Sequence, residues 1–135
     1  MLEYNRSQAV IYALFWAFRR NPAYYDFSDI GGDCTNFVSQ SLYAGSGVMN
    51  FTPTFGWYFI SADDRSPSWT GVEFLYNFLI SNKGPGPFGE ESDFENAQPG
   101  DVIQLSYDAR NRPLSTYDYE KARVIHILGV GEPEE

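Results

Sequence analysis

Residues 31–40, GGDCTNFVSQ, carry the only cysteine of this chain, at the point where a glycine turn meets a helical pattern. From there, residues recur at i, i+3, i+4, i+7 and i+8, the spacing of one helix face: Cys34, Phe37, Val38, Ser41 and Leu42. The pattern predicts a helix that starts near Cys34, with Asp33 as its N-cap, and ends in the turn at residues 45–47. It therefore places a lone sulfur at the N-terminus of a helix.

Two more helices are predicted, one on either side of this one. The first covers residues 5–20 and the other residues 70–83. Their expected inward faces are Ala9, Tyr12, Ala13, Trp16 and Arg20 in the first, and Val72, Leu75, Tyr76, Leu79 and Ile80 in the other. Residues 9–18, AVIYALFWAF, are interpreted as a core helix, because two arginines follow them and no signal cleavage site does.

Strands are predicted only near the end of the chain. Residues 101–107 (DVIQLSY) and 123–130 (RVIHILGV) have strand patterns. Loops are predicted at residues 48–68, 84–100 and 109–119. Helices followed by strands favour an α+β fold, and 135 residues suit a single domain over residues 1–135.

The composition argues against several classes of partner. With a net charge of −9, the chain is not expected to bind nucleic acid or anionic membranes. No stretch is long enough to cross a bilayer. One cysteine permits no internal disulfide. The lack of a targeting segment predicts a cytoplasmic protein, or a secreted or cell-wall-associated one if a leader has been removed.

Two interpretations of Cys34 stay open at this point. Free cysteine is among the most buried residue types, so a structural role is the ordinary expectation. The alternative is a nucleophile, because unpaired N–H groups at a helix N-terminus favour a thiolate and can hold the oxyanion of a tetrahedral intermediate. Gly31 and Gly32 would let a substrate approach closely, whereas the carboxylate of Asp33 disfavours a thiolate. We place Gly32, Asp33 and Thr35 at the oxyanion site and cleft.

A cysteine nucleophile needs a base, which is usually an imidazole. His126 is the only histidine of the chain, and strand alternation turns it the same way as Val124 and Leu128. Either it is the base for Cys34, or it is a core or sheet-edge histidine whose hydrogen bonds are satisfied. Sequence spacing does not decide between them, because catalytic partners meet only in the fold.

No cofactor or metal is expected. One histidine and one cysteine cannot make a zinc site from protein ligands alone. Residues 84–89 match GxGxxG by letter, but they follow a helix and include prolines, so we reject a dinucleotide loop. Trp57 and Trp69, with Tyr58 and Phe59, are candidates for a substrate groove. The alternative for these aromatic residues is packing between loop and core.

Three stretches resemble the putative amidase domain family of Gram-positive bacteria, which is similar to the NlpC/P60 and papain-like cysteine hydrolases. They are residues 4–45, residues 68–88 (SWTGVEFLYNFLISNKGPGPF) and residues 98–105 (QPGDVIQL), and GGDCTNFVSQ is the most specific part. The resemblance implies Cys34 as nucleophile and a papain-like packing of helices on a small antiparallel sheet. It also implies hydrolysis of an amide, with cell-wall peptides as candidate substrates.

One part of the family pattern is missing. In the family, a strand with the catalytic histidine follows the segment like GDVIQL, and a further strand ends in a second histidine. Here Ser106 follows Leu105 directly, Leu105 takes the position of that second histidine, and His126 matches a histidine that is not the family's base. The resemblance therefore implies a sheet reduced in strand number and an impaired activity. Exposed sheet edges make a homodimer one further expectation.

Two functions follow from these observations. The first is a cysteine amidase or peptidase in which Cys34 attacks a peptide or peptidoglycan-like substrate, with His126 as the only side chain that could supply an imidazole base. The second is a binding or interaction module on the same fold that has lost turnover. The distance from the Cys34 sulfur to the His126 ring distinguishes them, allowing for looser geometry without substrate.

Overall fold

The computed structural model describes residues 1–105 and 122–134. Within these ranges the chain is a mixed α+β fold, as the order of helices and strands predicts. The helices are α1 (Arg6–Trp16), α2 (Asp33–Ser46), α3 (Pro67–Thr70), α4 (Val72–Ser81) and a short 3₁₀ helix (Phe94–Asn96). The strands are β1 (Phe59–Ser61), β2 (Asp64–Arg65), β3 (Gly86–Ser92), β4 (Val102–Gln104) and β5 (Arg123–Gly131).

The main sheet is antiparallel and has the order β3-β5-β4, with β5 in the centre. Its register sets Val102 opposite Ile125 and Gln104 opposite Arg123. Helix α4 packs on β3 and β5, and α1 packs on α2. A separate two-stranded antiparallel sheet joins β1 and β2. The strand predicted at residues 123–130 is confirmed, and its central position explains its near-continuous apolar character.

The largest core side chains are Trp57 and Trp69, both 0% exposed. Their ring centroids lie 4.8 Å apart. Each indole N–H donates to a side chain of α2: Trp69 to Asn36 Oδ1 at 2.9 Å and Trp57 to Ser39 Oγ at 3.1 Å. The prediction that Trp57 and Trp69 line a substrate groove is therefore wrong, because both rings are buried in the core and hydrogen-bonded to α2.

Helix α2 begins one residue before Cys34. Gly32 is its N-cap in the left-handed region, with φ 88°, and Asp33 is the first helical residue rather than the cap. The helix ends at Ser46, where the N–H of Gly47 donates to Tyr43 O at 2.7 Å. Cys34 is thus the second residue of a 14-residue helix, as the glycine turn predicts.

The buried face of α2 is more polar than its apolar spacing suggests. It consists of Thr35, Asn36, Ser39, Gln40, Leu42 and Gly45. Three of these polar side chains accept hydrogen bonds from aromatic residues: Asn36 and Ser39 from the two buried tryptophans and Gln40 from the half-buried Tyr12. Hydrogen bonding to aromatic residues, rather than hydrophobicity, therefore decides which face of α2 turns inward.

Helix α1 begins where predicted, with Asn5 Oδ1 accepting from the N–H of Gln8 at 3.0 Å. It ends at Trp16, short of the predicted residue 20. The interpretation of residues 9–18 as a core helix is wrong for the outer face, since Leu14 is 73% exposed and only Ala9 is fully buried within the helix. One side of α1 packs on α2 and the other faces outward.

The other differences lie in the second half of the chain. The loop predicted at residues 84–100 contains β3, the edge strand paired with β5. The helix predicted at residues 70–83 is interrupted at Gly71, which divides α3 from α4. The loop predicted at residues 109–119 lies outside the described residues. In the part of the chain that is described, no helix is long and apolar enough to span a membrane.

Candidate active site

The side chain of Cys34 is exposed, and the thiol is free. The first main-chain bond of α2 runs from the N–H of Asn36 to Gly32 O at 2.9 Å. The N–H groups of the residues before Asn36 have no acceptor within the helix, which is the general property of a helix N-terminus. They carry partial positive charge in the same turn as Cys34, and no side chain caps the helix. A space-filling role for Cys34 is excluded by its exposure.

The carboxylate next to Cys34 is already paired. Asp33 accepts two hydrogen bonds from Arg20, at 2.7 and 3.1 Å, and one from the N–H of Phe27 at 3.1 Å. The hydrogen bond from Arg20 is the main reason that the pKa of Asp33 lies below its usual value, and burial partly opposes this shift. The guanidinium therefore offsets the negative charge that the sequence places beside the sulfur.

Two cavities open on either side of Cys34. One, of about 410 Å³, is bordered by the end of α1 and the residues that follow it, including Trp16, Arg19 and Arg20. The other, of about 130 Å³, is bordered by α4 and β4, including Val72 and Leu105. Val38 lines both cavities. Cys34 thus lines two spaces, which could hold the two sides of an amide bond.

Gly32 fixes how close the start of α2 lies to α3. A Cβ at this position would be 2.6 Å from the carbonyl oxygen of Thr70. A side chain there would also need the left-handed backbone that φ 88° imposes. Of the other residues predicted for the cleft, Asp33 borders the larger cavity and Thr35 the smaller one, although Thr35 is itself buried.

His126 belongs to a different cluster. Its Nδ1 lies 3.0 Å from Oδ2 of Asp101, whose side chain is only 1% exposed. The other carboxylate oxygen of Asp101 accepts from Arg6 at 2.8 Å and from the N–H of Ile127 at 3.0 Å, and Oδ2 also accepts from the N–H of Gln98 at 2.9 Å. Every lone-pair direction of Asp101 is therefore used within the fold.

The Asp101 carboxylate also determines which ring nitrogen of His126 carries the hydrogen in the neutral imidazole. Burial raises the pKa of Asp101, but the hydrogen bonds from His126, from Arg6 and from two main-chain N–H groups outweigh it and leave the pKa below its usual value. Because an ionised carboxylate can only accept, Nδ1 of His126 must be the donor in this pair. The unprotonated nitrogen of a neutral imidazole is then Nε2.

The structure does not bring His126 to Cys34. His126 lines a third cavity, of about 770 Å³, which shares no lining residue with the two cavities beside the thiol. Asp101 stands just before β4 and Leu105 just after it, a separation of about 13 Å along an extended chain. The assignment of His126 as the base for Cys34 is therefore corrected, because the ring is paired with Asp101 and lines a cavity that Cys34 does not line.

Comparison with known proteins places the chain in a family. The family model described as "Putative amidase domain" matches residues 3–125. The chain belongs to this amidase family. It is also similar to the "Uncharacterized protein YhbB" of Bacillus subtilis (strain 168), with 37% identity over 113 residues. The match covers 82% of this chain and 35% of that protein, so the chain spans about a third of that relative's length. No solved structure matches.

Membership in the amidase family supports hydrolase chemistry at a coarse level and gives a context for the exposed thiol. A cysteine sulfur at a helix N-terminus, with main-chain N–H groups in the same turn, offers the two parts that acyl transfer needs: a nucleophile and an oxyanion site. Among residues 1–105 and 122–134, no group of three His, Cys, Asp or Glu side chains is placed to hold a metal ion.

Sequence reasoning missed Asp101 and Arg6 as the partners of His126. Asp101 was predicted only as the first residue of a strand, and Arg6 only as part of a helix. One signal was available, since an acidic residue at the start of one predicted strand and a histidine in the next could pair across an antiparallel sheet. Arg6 lies 120 residues from His126, so no local sequence pattern could have indicated that the two side chains are neighbours.

Proposed function

We propose that this amidase-family chain hydrolyses an amide bond with Cys34 as the nucleophile, in a papain-like arrangement of a cysteine helix against an antiparallel sheet. The observation that carries the proposal is the exposed thiol of Cys34 at the N-terminus of α2, between two cavities. The pairing of Asp33 with Arg20 supports it, because it removes a local charge that would oppose a thiolate.

The reaction needs two steps. In the first, the sulfur of Cys34 attacks the carbonyl carbon, the C–N bond breaks, and the amine leaves with a proton from water, which gives a thioester. In the second, water attacks the thioester, the acid product leaves, and the thiolate is restored. The oxyanion of each tetrahedral intermediate would lie against the N–H groups of the first turn of α2, where preorganised donors can stabilise it.

The rate is expected to be low because His126 is held by Asp101. A positioned general base is typically worth about 10² to 10⁴-fold in rate, and the described part of this chain brings no imidazole to Cys34. Acylation by substrates with good leaving groups should suffer least, since they need no proton at the departing atom. We therefore expect p-nitrophenyl esters, whose phenolate leaves without a proton, to be cleaved faster than anilides and ordinary peptides, whose nitrogen must be protonated.

For the physiological substrate we propose a peptide or a peptidoglycan-like peptide. The support is the family membership and the two cavities that Cys34 lines, which could take an acyl group and an amine group of different size. A cell-wall peptide would require the domain to act outside the cytoplasm, so substrate and location are one joint proposal.

The test compares the unaltered chain with Cys34→Ala on p-nitrophenyl esters, peptide anilides and peptidoglycan fragments. We expect product release from the unaltered chain alone, with an adduct of acyl mass on Cys34 by intact-mass spectrometry. Thr52→Ala serves as a control, since it removes an exposed side chain that lines neither cavity. Equal hydrolysis by the unaltered chain and by Cys34→Ala would exclude the cysteine mechanism.

A second function is favoured by one observation, the placement of His126 away from Cys34. A module that binds peptides without turnover would keep the cavities and need no base. Calorimetry with the same peptidoglycan fragments separates the two, because this second function predicts equal binding by the unaltered chain and by Cys34→Ala, with no adduct and no product.

A further inference from the structure

The larger cavity beside Cys34 has a cationic wall in an otherwise acidic protein. Arg19 and Arg20 both line this space of about 410 Å³, together with the apolar surfaces of Trp16, Phe37 and Val38. The chain as a whole has a net charge of −9 and only nine basic residues. The two adjacent arginines beside Cys34 therefore place positively charged groups at this cavity, whereas the protein as a whole is acidic.

Only one of the two arginines is available to a ligand. Arg20 is shared by two carboxylates, Asp33 at 2.7 Å and Asp26 at 3.2 Å. With both carboxylates on it, Arg20 contributes no net positive charge to the cavity.

Arg19 has no such partner. Its guanidinium carbon lies 4.5 Å from the centroid of the Phe15 ring, and no carboxylate among the described residues forms an ion pair with it. Stacking on an aromatic ring orients the guanidinium and leaves its N–H groups free to donate. Arg19 is thus a positioned cation at the wall of the cavity that Cys34 borders.

We propose that this cavity binds the carboxylate of an anionic amide substrate and that Arg19 is the residue that selects it. The inference rests on the proposed function in that Cys34 is the reacting group. A guanidinium fits a carboxylate with two parallel hydrogen bonds, and the apolar surfaces of Trp16 and Phe37 would contact the body of the ligand. The substrate class is therefore an amide with a free carboxylate near the bond that is cleaved.

Two alkylating reagents of different charge test this without requiring turnover. Iodoacetate is an anion and iodoacetamide is neutral; in both cases the sulfur of Cys34 displaces iodide, which leaves with the electron pair of the C–I bond. The ratio of their rate constants cancels the intrinsic reactivity of the thiol and reports the preference of the cavity for a carboxylate. The measurement uses the full chain at low ionic strength.

We expect Arg19→Gln to lower the iodoacetate-to-iodoacetamide ratio roughly two- to fivefold, the size of an exposed ion pair. Arg19→Lys keeps the charge and should retain most of the ratio. Lys83→Gln removes an exposed charge that lies outside the cavity and should leave the ratio unaltered.

An unchanged ratio in Arg19→Gln would overturn the proposal, and so would an equal fall in the ratio for Lys83→Gln, which would mean that only total charge matters. Failure of the proposed function is a separate result. If no amide or ester is hydrolysed but the ratio still falls in Arg19→Gln, the anion site stands and Cys34 is not a catalyst.

Discussion

Nδ1 of His126 lies 3.0 Å from the buried Oδ2 of Asp101, and Arg6 contacts the same pair from the start of α1. Arg6 also donates to Ile127 O at 2.6 Å and to Pro99 O at 2.9 Å. The cluster therefore joins β4 and β5 to the N-terminus of α1. The imidazole that the sequence offers as a catalytic base is used instead to hold a helix on the sheet.

Replacing Asp101 with Asn should destabilise the fold substantially. An amide keeps the size of the side chain, but it loses the charge and one accepting atom, which leaves Arg6 without its buried counter-ion. We expect the free energy of unfolding at pH 7 to fall by about 2–4 kcal/mol in urea titrations followed by circular dichroism. Glu95→Gln, at an exposed carboxylate, is the control. A loss as small as that of the control would contradict the assigned role.

The effect of Asp101 should also depend on pH in a defined direction. Its pKa in the folded state is below its usual value, so the carboxylate stabilises the fold fully above the unfolded pKa, which is about 4. This contribution is lost as the pH falls through the lower, folded pKa. The difference in stability between the unaltered chain and Asp101→Asn should therefore shrink as the pH falls below about 4. A gap that widened on acidification would contradict this linkage.

Replacing His126 with Gln should leave the thiol of Cys34 as it is. The two side chains line different cavities, so we expect the rate of iodoacetamide alkylation of Cys34 to stay within about twofold. The free energy of unfolding should fall by about 1 kcal/mol, the usual cost of one weakened hydrogen bond. Both quantities are measured on the same preparation. A tenfold loss of alkylation rate, with stability preserved, would return His126 to the active site.

The start of α2 could be predicted from the sequence because its signals are local. Two glycines, a helical spacing and a closing Gly47 all lie within residues 31–47, and the structure confirms the helix within one residue of its predicted start. The strand β5 was predictable for the same reason, since five of its nine residues are Val, Ile or Leu.

The missed features depend on contacts between distant parts of the chain. Strand β3 begins Gly-Pro-Phe-Gly and follows Gly84-Pro85, a composition typical of loops, and it becomes a strand only by pairing with β5 some 40 residues later. The burial of Trp69 similarly depends on Asn36, which accepts its indole N–H across 33 residues. Neither β5 nor Asn36 lies near its partner in the sequence. Local sequence patterns therefore could not show that the tryptophans are buried rather than exposed in a groove.

A pair of glycine variants should separate backbone strain from steric conflict at the start of α2. Gly31 and Gly32 have similar positive φ values, 81° and 88°, but a Cβ on Gly31 meets nothing within 4 Å whereas one on Gly32 meets Thr70 O at 2.6 Å. Gly31→Ala should cost about 1–2 kcal/mol of stability from strain alone, and Gly32→Ala should cost more. Chemical denaturation measures both. Equal losses would show that the contact with Thr70 relaxes freely.

Leu105→His is the sharpest test of what the site lacks. Leu105 lines the same cavity of about 130 Å³ as Cys34 and is 49% exposed, so a polar ring at this position needs no buried partner. An imidazole there could take the thiol proton, and general-base help is typically worth about 10² to 10⁴-fold. No residue orients the new ring, so the gain in ester hydrolysis should be smaller than that of a positioned base. We still expect at least about tenfold near neutral pH.

Two further variants make the result specific. Leu105→Gln supplies a polar side chain of similar size without a titratable ring, so it should give no gain. The double variant with Cys34→Ala should abolish hydrolysis, because the imidazole acts only through the sulfur. If Leu105→His and Leu105→Gln were equally active, the absence of a base would not be what limits Cys34. The low rate would then have to come from the position of the oxyanion donors at the first turn of α2.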